Sequence, residues 1–172
     1  MDNFFRTVEK RHSVRSFTEK PVEKSKTQKI LMVSRTNPSA KGLQSYRIFI
    51  IEDKKKKEEL VKACHNQGYV HASLILVFCT DPKRIKKEMG TKGERLFAVQ
   101  DATIAASYAQ LAATALGLSS VWIGNFSEKQ VAKIIRTKLR PVVVLPIGYE
   151  KKSTKRHARP KKRRFQDMVK KV

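Results

Sequence analysis

Five consecutive residues near the start of the chain, Arg11-His12-Ser13-Val14-Arg15, combine side chains that are well suited to binding a phosphate group. An arginine guanidinium presents a planar fork of N–H donors that matches phosphate oxygens, and a serine hydroxyl adds a neutral donor. Because side chains alternate along an extended backbone, Arg11, Ser13 and Arg15 are predicted to point to one side, where one anion could contact all three. A solvated basic loop is the alternative that these residues alone leave open.

Catalytic signatures of other kinds are missing from the sequence. It has no GxSxG, HExxH, Walker or GxGxxG motif, and its 15 acidic residues are too scarce to favour a paired-carboxylate hydrolase. The four histidines fall in separate segments without metal-ligand spacing, at His12, His65, His71 and His157. We therefore predict no metal site and no catalytic side chain, and we expect any catalysis to come from a cofactor.

Positive charge dominates the composition of the 172-residue chain, which has 38 Lys and Arg against 15 Asp and Glu and a formal net charge of +23. Residues 151–172 hold eleven Lys or Arg and one Asp, a charge of +10, so the rest of the chain carries the other +13. Such a protein attracts polyanions, so phosphorylated cofactors, nucleic acid and anionic lipid are all candidate ligands, and charge alone does not choose among them. The length predicts one domain over residues 1–172, with a basic extension over 151–172.

Neither a secretory signal nor a membrane span is predicted. Met1–Lys10 is amphipathic and charged, and no apolar run approaches the roughly 20 residues that a spanning helix needs. Cys64 and Cys79 are too few for a disulfide framework, and Cys79 is expected to be a small buried apolar residue. We expect a cytoplasmic protein that does not bind membranes.

Hydrophobic patterning predicts alternating helices and strands. The predicted helices are Asn3–Lys10, Glu23–Thr36, Lys54–Ala63, Phe97–Leu116 and Glu128–Arg136. The predicted strands are Tyr46–Glu52, Ser73–Thr80, Ser119–Ile123 and Pro141–Tyr149. The polar stretch Lys83–Gly93 is predicted to be a mobile excursion.

The segment Phe97–Leu116 is the most informative of these elements. Its twenty residues are rich in Ala, Leu, Ile and Tyr, and no charged residue follows Asp101. A helix that is apolar almost all round must be covered on all sides. In a chain of this size, a second subunit is the expected cover for one face, so we predict a homodimer.

Five motifs, taken in order along the chain, resemble those of the nitroreductase family. RHSVRSF (Arg11–Phe17) is similar to the family's N-terminal FMN-binding motif, and NPSAKGLQSY (Asn37–Tyr46) to its Pro-Ser-x-x-Asn-x-Gln-Pro-aromatic segment. Gln100–Gly124 resembles the dimer-core helix followed by Gly-Leu-Gly-x-x-Trp-Ile-Gly. LPIGY (Leu145–Tyr149) resembles the closing strand, and Lys161-x-Arg163 the late basic pair.

The resemblance implies an α+β three-layer fold with a central, mostly antiparallel sheet flanked by helices, and an intertwined homodimer with exchanged C-terminal segments. It also implies an FMN-dependent oxidoreductase that passes a hydride from NADH or NADPH, through flavin N5, to a nitroaromatic, a quinone or a similar acceptor. The flavin would carry the chemistry, and the protein would orient it and tune it.

The site residues that the resemblance implies form four groups. The phosphate would be bound by Arg11, His12, Ser13 and Arg15, together with Lys161 and Arg163. The isoalloxazine ring would be contacted by Pro38, Ser39 and Ala40 of the partner subunit, with Gly42 and Gln44 in the same segment. Trp122, Ile123 and Gly124 would pass along the ring, with a backbone N–H near Gly124 reaching N5. Pro146, Ile147 and Gly148 would lie nearby.

The chain departs from the family pattern at three places. Gly42 stands where the family has Asn, Ser45 replaces the Pro that follows the glutamine, and the connection from Ile135 to Pro141 is short. Two other functions stay open: a nucleic-acid-binding protein whose basic surface follows the phosphates, and a flavin-binding family member with a different reaction. Weak, non-specific polyanion binding is expected as a further property.

Overall fold

The computed structural model describes residues 3–151 and 162–172, and its centre is one antiparallel sheet. The strands are β1 (Tyr46–Ile51), β2 (Leu74–Thr80), β3 (Ser119–Ser120) and β4 (Pro141–Gly148). Their order across the sheet is β1-β2-β4-β3, and each neighbouring pair is antiparallel. The antiparallel sheet of the predicted fold class is therefore confirmed.

Helices cover both faces of this sheet. They are α1 (Asn3–Lys10), α2 (Lys24–Arg35), α3 (Lys54–Ala63), α4 (Lys83–Lys92), α5 (Ala98–Ala115), α6 (Glu128–Ile134) and α7 (Phe165–Met168). Strand β2 shows the layering, because all of its residues are buried. Leu74, Leu76 and Phe78 pack with α2 and α5, whereas Ile75, Val77 and Cys79 pack with α3 and α6. Alternate residues of one strand thus fill two cores, which gives the predicted three layers.

The long helix α5 has two different faces. Its alanines Ala102, Ala105, Ala106, Ala109 and Ala113 are completely buried against the sheet and α2. The opposite face, which carries residues at helical spacing, is only half-buried: Thr103, Ile104, Ser107, Leu111 and Thr114. The helix ends at Ala115, and Gly117, two residues later, has a φ of +74°, a conformation that glycine adopts without strain.

Most of the predicted elements are confirmed. The bounds of α1 and α3 are as predicted, and those of α2, α5, α6, β1, β2 and β4 differ by at most two residues at either end. Only β3 is much shorter, since its pairing breaks after Ser120 and resumes at a single bridge between Ile123 and Val144. Cys64 and Cys79 are both buried and free.

The prediction of a mobile excursion over Lys83–Gly93 is wrong, because this segment forms helix α4 and a following π-helical turn, Gly93–Phe97. One buried side chain, Ile85, anchors the helix, and an ion pair joins Lys86 to Glu94 at 3.0 Å. A single apolar anchor among charged residues gives almost no periodic signal in the sequence, so the sequence pattern does not distinguish this helix from a polar loop.

Candidate cofactor-binding site

The basic loop predicted to bind phosphate is fixed along the β3 edge of the sheet. The Val14 N–H donates to the Ser120 carbonyl at 3.0 Å, and the Val14 side chain is buried. Further along, Thr18 N–H donates to the Tyr149 carbonyl at 2.8 Å and Lys151 N–H donates to the Ser16 carbonyl at 3.0 Å. The loop therefore runs beside β3 and the end of β4 with a defined backbone path.

This path sets the direction of the side chains. Ser13 and Arg15 lie on either side of buried Val14 and are exposed, as alternation predicts, while Arg11 is half-buried. His12 is engaged locally, because its Nδ1 lies 2.9 Å from the Lys10 carbonyl and its Nε2 lies 3.5 Å from a carboxylate oxygen of Glu150. The loop thus offers Ser13 and Arg15 outward, with Arg11 beside them.

The segment after β3 lies on the same edge. Trp122 is half-buried and Ile123 is buried, while Gly124 is exposed, and a Cβ added to Gly124 would meet only Trp122 Nε1, at 3.8 Å. The backbone at Gly124 is therefore open to a flat ligand.

Pro146, Ile147 and Gly148 are buried within β4, and a Cβ at Gly148 would lie 3.2 Å from the Phe17 ring. Their side chains do not reach the surface of the described subunit. They form the floor beneath the basic loop, and Gly148 permits the close approach of Phe17.

The segment Pro38–Ser45 stands at the other edge of the sheet, just before β1. Ser39 Oγ accepts a hydrogen bond from the Gln44 N–H at 3.1 Å, and Gln44 Nε2 donates to the Arg35 carbonyl at 2.6 Å. Gly42 has a φ of +67°, and nothing would contact an added Cβ there. A cleft of about 600 Å³ lies beside Pro38–Ala40, and it is also lined by Phe97, just before α5, and by Val99 and Ile104 in the first half of α5.

Asp101 holds this segment, and sequence reasoning missed its role. The carboxylate is buried: Oδ1 accepts from the Ala40 N–H at 3.0 Å, and Oδ2 accepts from the Ser45 N–H at 3.0 Å and from the Ser45 hydroxyl at 2.6 Å. The proline of the family motif at position 45 would supply neither of the two Ser45 donors. The available signal was a lone acid at the start of an otherwise uncharged helix.

We expect Asp101→Asn to lower the free energy of unfolding by about 1.5–3 kcal/mol, the scale of hydrogen bonds to a charged group. All three neighbours are donors, so the amide NH2 of Asn would face a donor without an acceptor. Urea denaturation measures the loss. The control is Ser45→Ala, which removes one of the three bonds and is expected to cost less than half as much. Equal stability of wild type and Asp101→Asn would contradict this role.

Within one subunit the two halves of the predicted site are far apart. Two strands separate β1 from β3, which places the sheet edges about 14 Å apart at the usual strand spacing. Along α5, the Asp101 anchor and Gly117 are separated by sixteen residues, or about 24 Å at the helical rise per residue. The basic loop with Trp122–Gly124 is thus at one end of α5, and Pro38–Gln44 is at the other.

Two predicted phosphate-binding residues, Lys161 and Arg163, belong to the C-terminal segment. Lys161 lies outside the described residues, and Arg163 is exposed in an irregular stretch before α7. In residues 3–151 and 162–172, no group of three or more His, Cys, Asp or Glu could hold a metal ion. No helix in these ranges is long and apolar enough to cross a membrane.

Comparison with known proteins identifies relatives of the whole described fold. Residues 3–172 match the family model described as a TM nitroreductase. The NADPH-flavin oxidoreductase of Vibrio harveyi is 32% identical over 143 residues, which are 78% of this chain and 60% of that protein. The FMN reductase (NADPH) of Bacillus subtilis strain 168 is 28% identical over 159 residues, 86% of this chain and 64% of that protein. This chain thus spans less than two thirds of either relative.

A solved structure supports the same relationship. The NADPH:FMN oxidoreductase of Vibrio harveyi, complexed with NAD+, superposes with a TM-score of 0.86 at 26% identity. The match covers 99% of this chain and 77% of that one.

Proposed function

The chain belongs to the nitroreductase family, and from that premise we propose that it is an FMN-dependent oxidoreductase that takes a hydride from NADH or NADPH. The acceptor is a nitroaromatic, a quinone or a similar small oxidised molecule. One relative whose name specifies FMN and NADPH, and another whose name specifies a flavin and NADPH, support the cofactor and the donor.

The residues present fit FMN in two respects. The fixed basic loop offers Ser13 and Arg15 outward with Arg11 beside them, which is the donor set that a phosphate monoester requires. On the same edge, the exposed backbone at Gly124 leaves room for a flat ring beside Trp122. These residues would hold the phosphate and the ring, and Lys161 and Arg163 would approach the phosphate from the C-terminal segment.

The separation of the two halves of the site is the observation that carries the proposal of a homodimer. If two copies pair α5 in antiparallel orientation about a two-fold axis, the Pro38–Gln44 end of one helix meets the Trp122–Gly124 end of the other. Two equivalent complete sites result. The half-buried outer face of α5 supplies the contact surface, so Pro38, Ser39 and Ala40 would act in the partner's site.

Bound FMN supplies the capacity to accept and donate a hydride. The chain's own residues bind it, orient it and shield one face of it, and none of them is needed as a nucleophile. Thiol chemistry is unsuitable here because burial raises the pKa of Cys64 to about 11 and that of Cys79 to about 12, so both are protonated at neutral pH.

The direct test is FMN binding followed by turnover. The purified protein should bind about one FMN per subunit, read from flavin absorbance, and FMN should outcompete riboflavin because the loop recognises the phosphate. With NADPH or NADH the loaded protein should reduce a quinone. Absence of FMN binding at micromolar concentration overturns the proposal. We further propose a cytoplasmic location and a single FMN-binding domain over 1–172, with 151–172 as a basic extension.

The excess of basic residues favours weak polyanion binding as a second property. We expect the protein to bind DNA or RNA without sequence preference in low salt, and to lose this binding by orders of magnitude between roughly 50 and 200 mM salt through counterion release. FMN binding should change far less, since its contacts converge at short range. Fluorescence anisotropy of a labelled oligonucleotide measures nucleic-acid binding, and flavin fluorescence measures FMN binding. Sequence-selective nucleic-acid binding at 200 mM salt without FMN binding would make nucleic acid the main ligand.

A further inference from the structure

Three arginines from three different elements, none of them assigned to the FMN site, meet at one cleft. Arg35 ends α2, Arg47 lies on the edge strand β1, and Arg84 lies in the first turn of α4. The cleft has a volume of about 370 Å³, and Gln44, Tyr46 and Asp81 complete its lining. Elements distant in sequence thus bring like charges together at one place.

Two of these arginines are each held through Nε, and their terminal nitrogens bond to no other group in the part of the chain that the structure describes. Arg47 Nε donates to the buried carboxylate of Asp81 at 2.8 Å, and Arg84 Nε donates to the Leu43 carbonyl at 2.9 Å. Within the described parts of the chain, no carboxylate forms an ion pair with Arg35 or Arg84. A guanidinium fixed through Nε presents its two terminal nitrogens as a fork.

The charge of the cleft matches a phosphate monoester. Three guanidinium groups and one carboxylate give a net charge of +2, and a phosphate monoester carries about −1.5 to −2 at neutral pH. Planar forks from several directions suit the three terminal oxygens of such a group. A phosphodiester or pyrophosphate unit carries less charge on each phosphorus and fits this balance less well.

The position of the cleft identifies the source of the phosphate. Gln44 lines the cleft and belongs to the segment proposed to lie beside the isoalloxazine ring, against which the nicotinamide of the donor stacks. The 2′-phosphate is on the adenosine ribose, at the other end of the donor, so a donor that extends past Gln44 would place this phosphate in the cleft. We propose that this cleft binds the 2′-phosphate of NADPH and makes the enzyme prefer NADPH to NADH. The inference rests on the proposed function for its choice of nucleotide.

Donor binding tests this site directly, because NADP+ and NAD+ differ only in the 2′-phosphate. By isothermal titration calorimetry on the FMN-loaded protein, NADP+ should bind at least about tenfold more tightly than NAD+, the effect expected from charge-assisted hydrogen bonds. In the double variant Arg35→Gln/Arg84→Gln, this ratio should fall below about threefold, with NAD+ affinity little changed. KM for NADPH should rise in parallel, and KM for NADH should not.

The control is Lys55→Gln, which removes one positive charge from an exposed residue beyond the far end of β1 and should leave the ratio unchanged. An unchanged ratio in the double variant overturns the inference, and so does an equal loss for NADP+ and NAD+. Weakened FMN binding in that variant would assign the cleft to the flavin phosphate instead. Because calorimetry requires no turnover, a protein that lacks reductase activity but discriminates NADP+ from NAD+ would refute the proposed reaction and leave the phosphate site standing.

Discussion

A Ser107→Arg variant is expected to be a folded monomer that no longer binds FMN at micromolar concentration. Ser107 lies near the middle of α5 on the half-buried outer face. In an antiparallel two-fold pairing, the middles of the two helices meet, so the two introduced guanidinium groups would face each other within the helix contact. An unpaired buried charge of this kind costs several kcal/mol per interface. The site would then lose its Pro38–Ala40 half.

Light scattering measures the mass, flavin fluorescence the binding, and circular dichroism the fold. The matched control is Ser25→Arg on the exposed side of α2, which should remain dimeric and bind FMN as the wild type does. Leu111→Arg, one turn along the same face as Ser107, should also abolish both the dimer and FMN binding. A Ser107→Arg monomer that still binds FMN would show that each subunit has a complete site.

The choice of Ser107 depends on the structure. From the sequence, α5 is apolar all round, and Ala105 or Ala112 would be the natural positions for an introduced arginine. Both alanines are buried in the subunit's own core, so a charge there would unfold the subunit before it tested the dimer. Alanine is small enough to suit either a core or a helix contact, and the periodicity therefore gives no indication of which face is which.

At the site, too, the sequence predicts some features and leaves others undetermined. The basic loop, the residues after β3 and the helix and strand order could be predicted because their signals are local, as in the spacing of Arg11, Ser13 and Arg15. The anchor at Asp101 and the arginine cleft could not, since Ala40 and Ser45 are about sixty residues from Asp101 and three separate elements supply the arginines. Contacts of this range follow from packing, which one sequence does not reveal.

A second large loss of FMN affinity is expected from substitutions in the basic loop. If Arg11 and Arg15 bind the flavin phosphate, each substitution by Ala should weaken FMN binding by about 1.5–3 kcal/mol, or roughly ten- to hundredfold. Riboflavin has the same ring without the phosphate, so its affinity should change by less than about threefold. Quenching of flavin fluorescence gives both dissociation constants for the same protein sample.

Comparison of FMN with riboflavin distinguishes an arginine that binds the phosphate from one that only stabilises the loop. The backbone of the loop is fixed mainly through Val14 and Ser120, so removal of either arginine should leave the path of the loop intact. Arg6→Ala, on the exposed side of α1, removes the same charge nearby and serves as the control for general electrostatics. It should alter FMN binding by less than about twofold, and raising the salt concentration should not rescue Arg11→Ala. Equal losses for FMN and riboflavin would mean that the arginines stabilise the loop, and the phosphate would then have to be bound elsewhere.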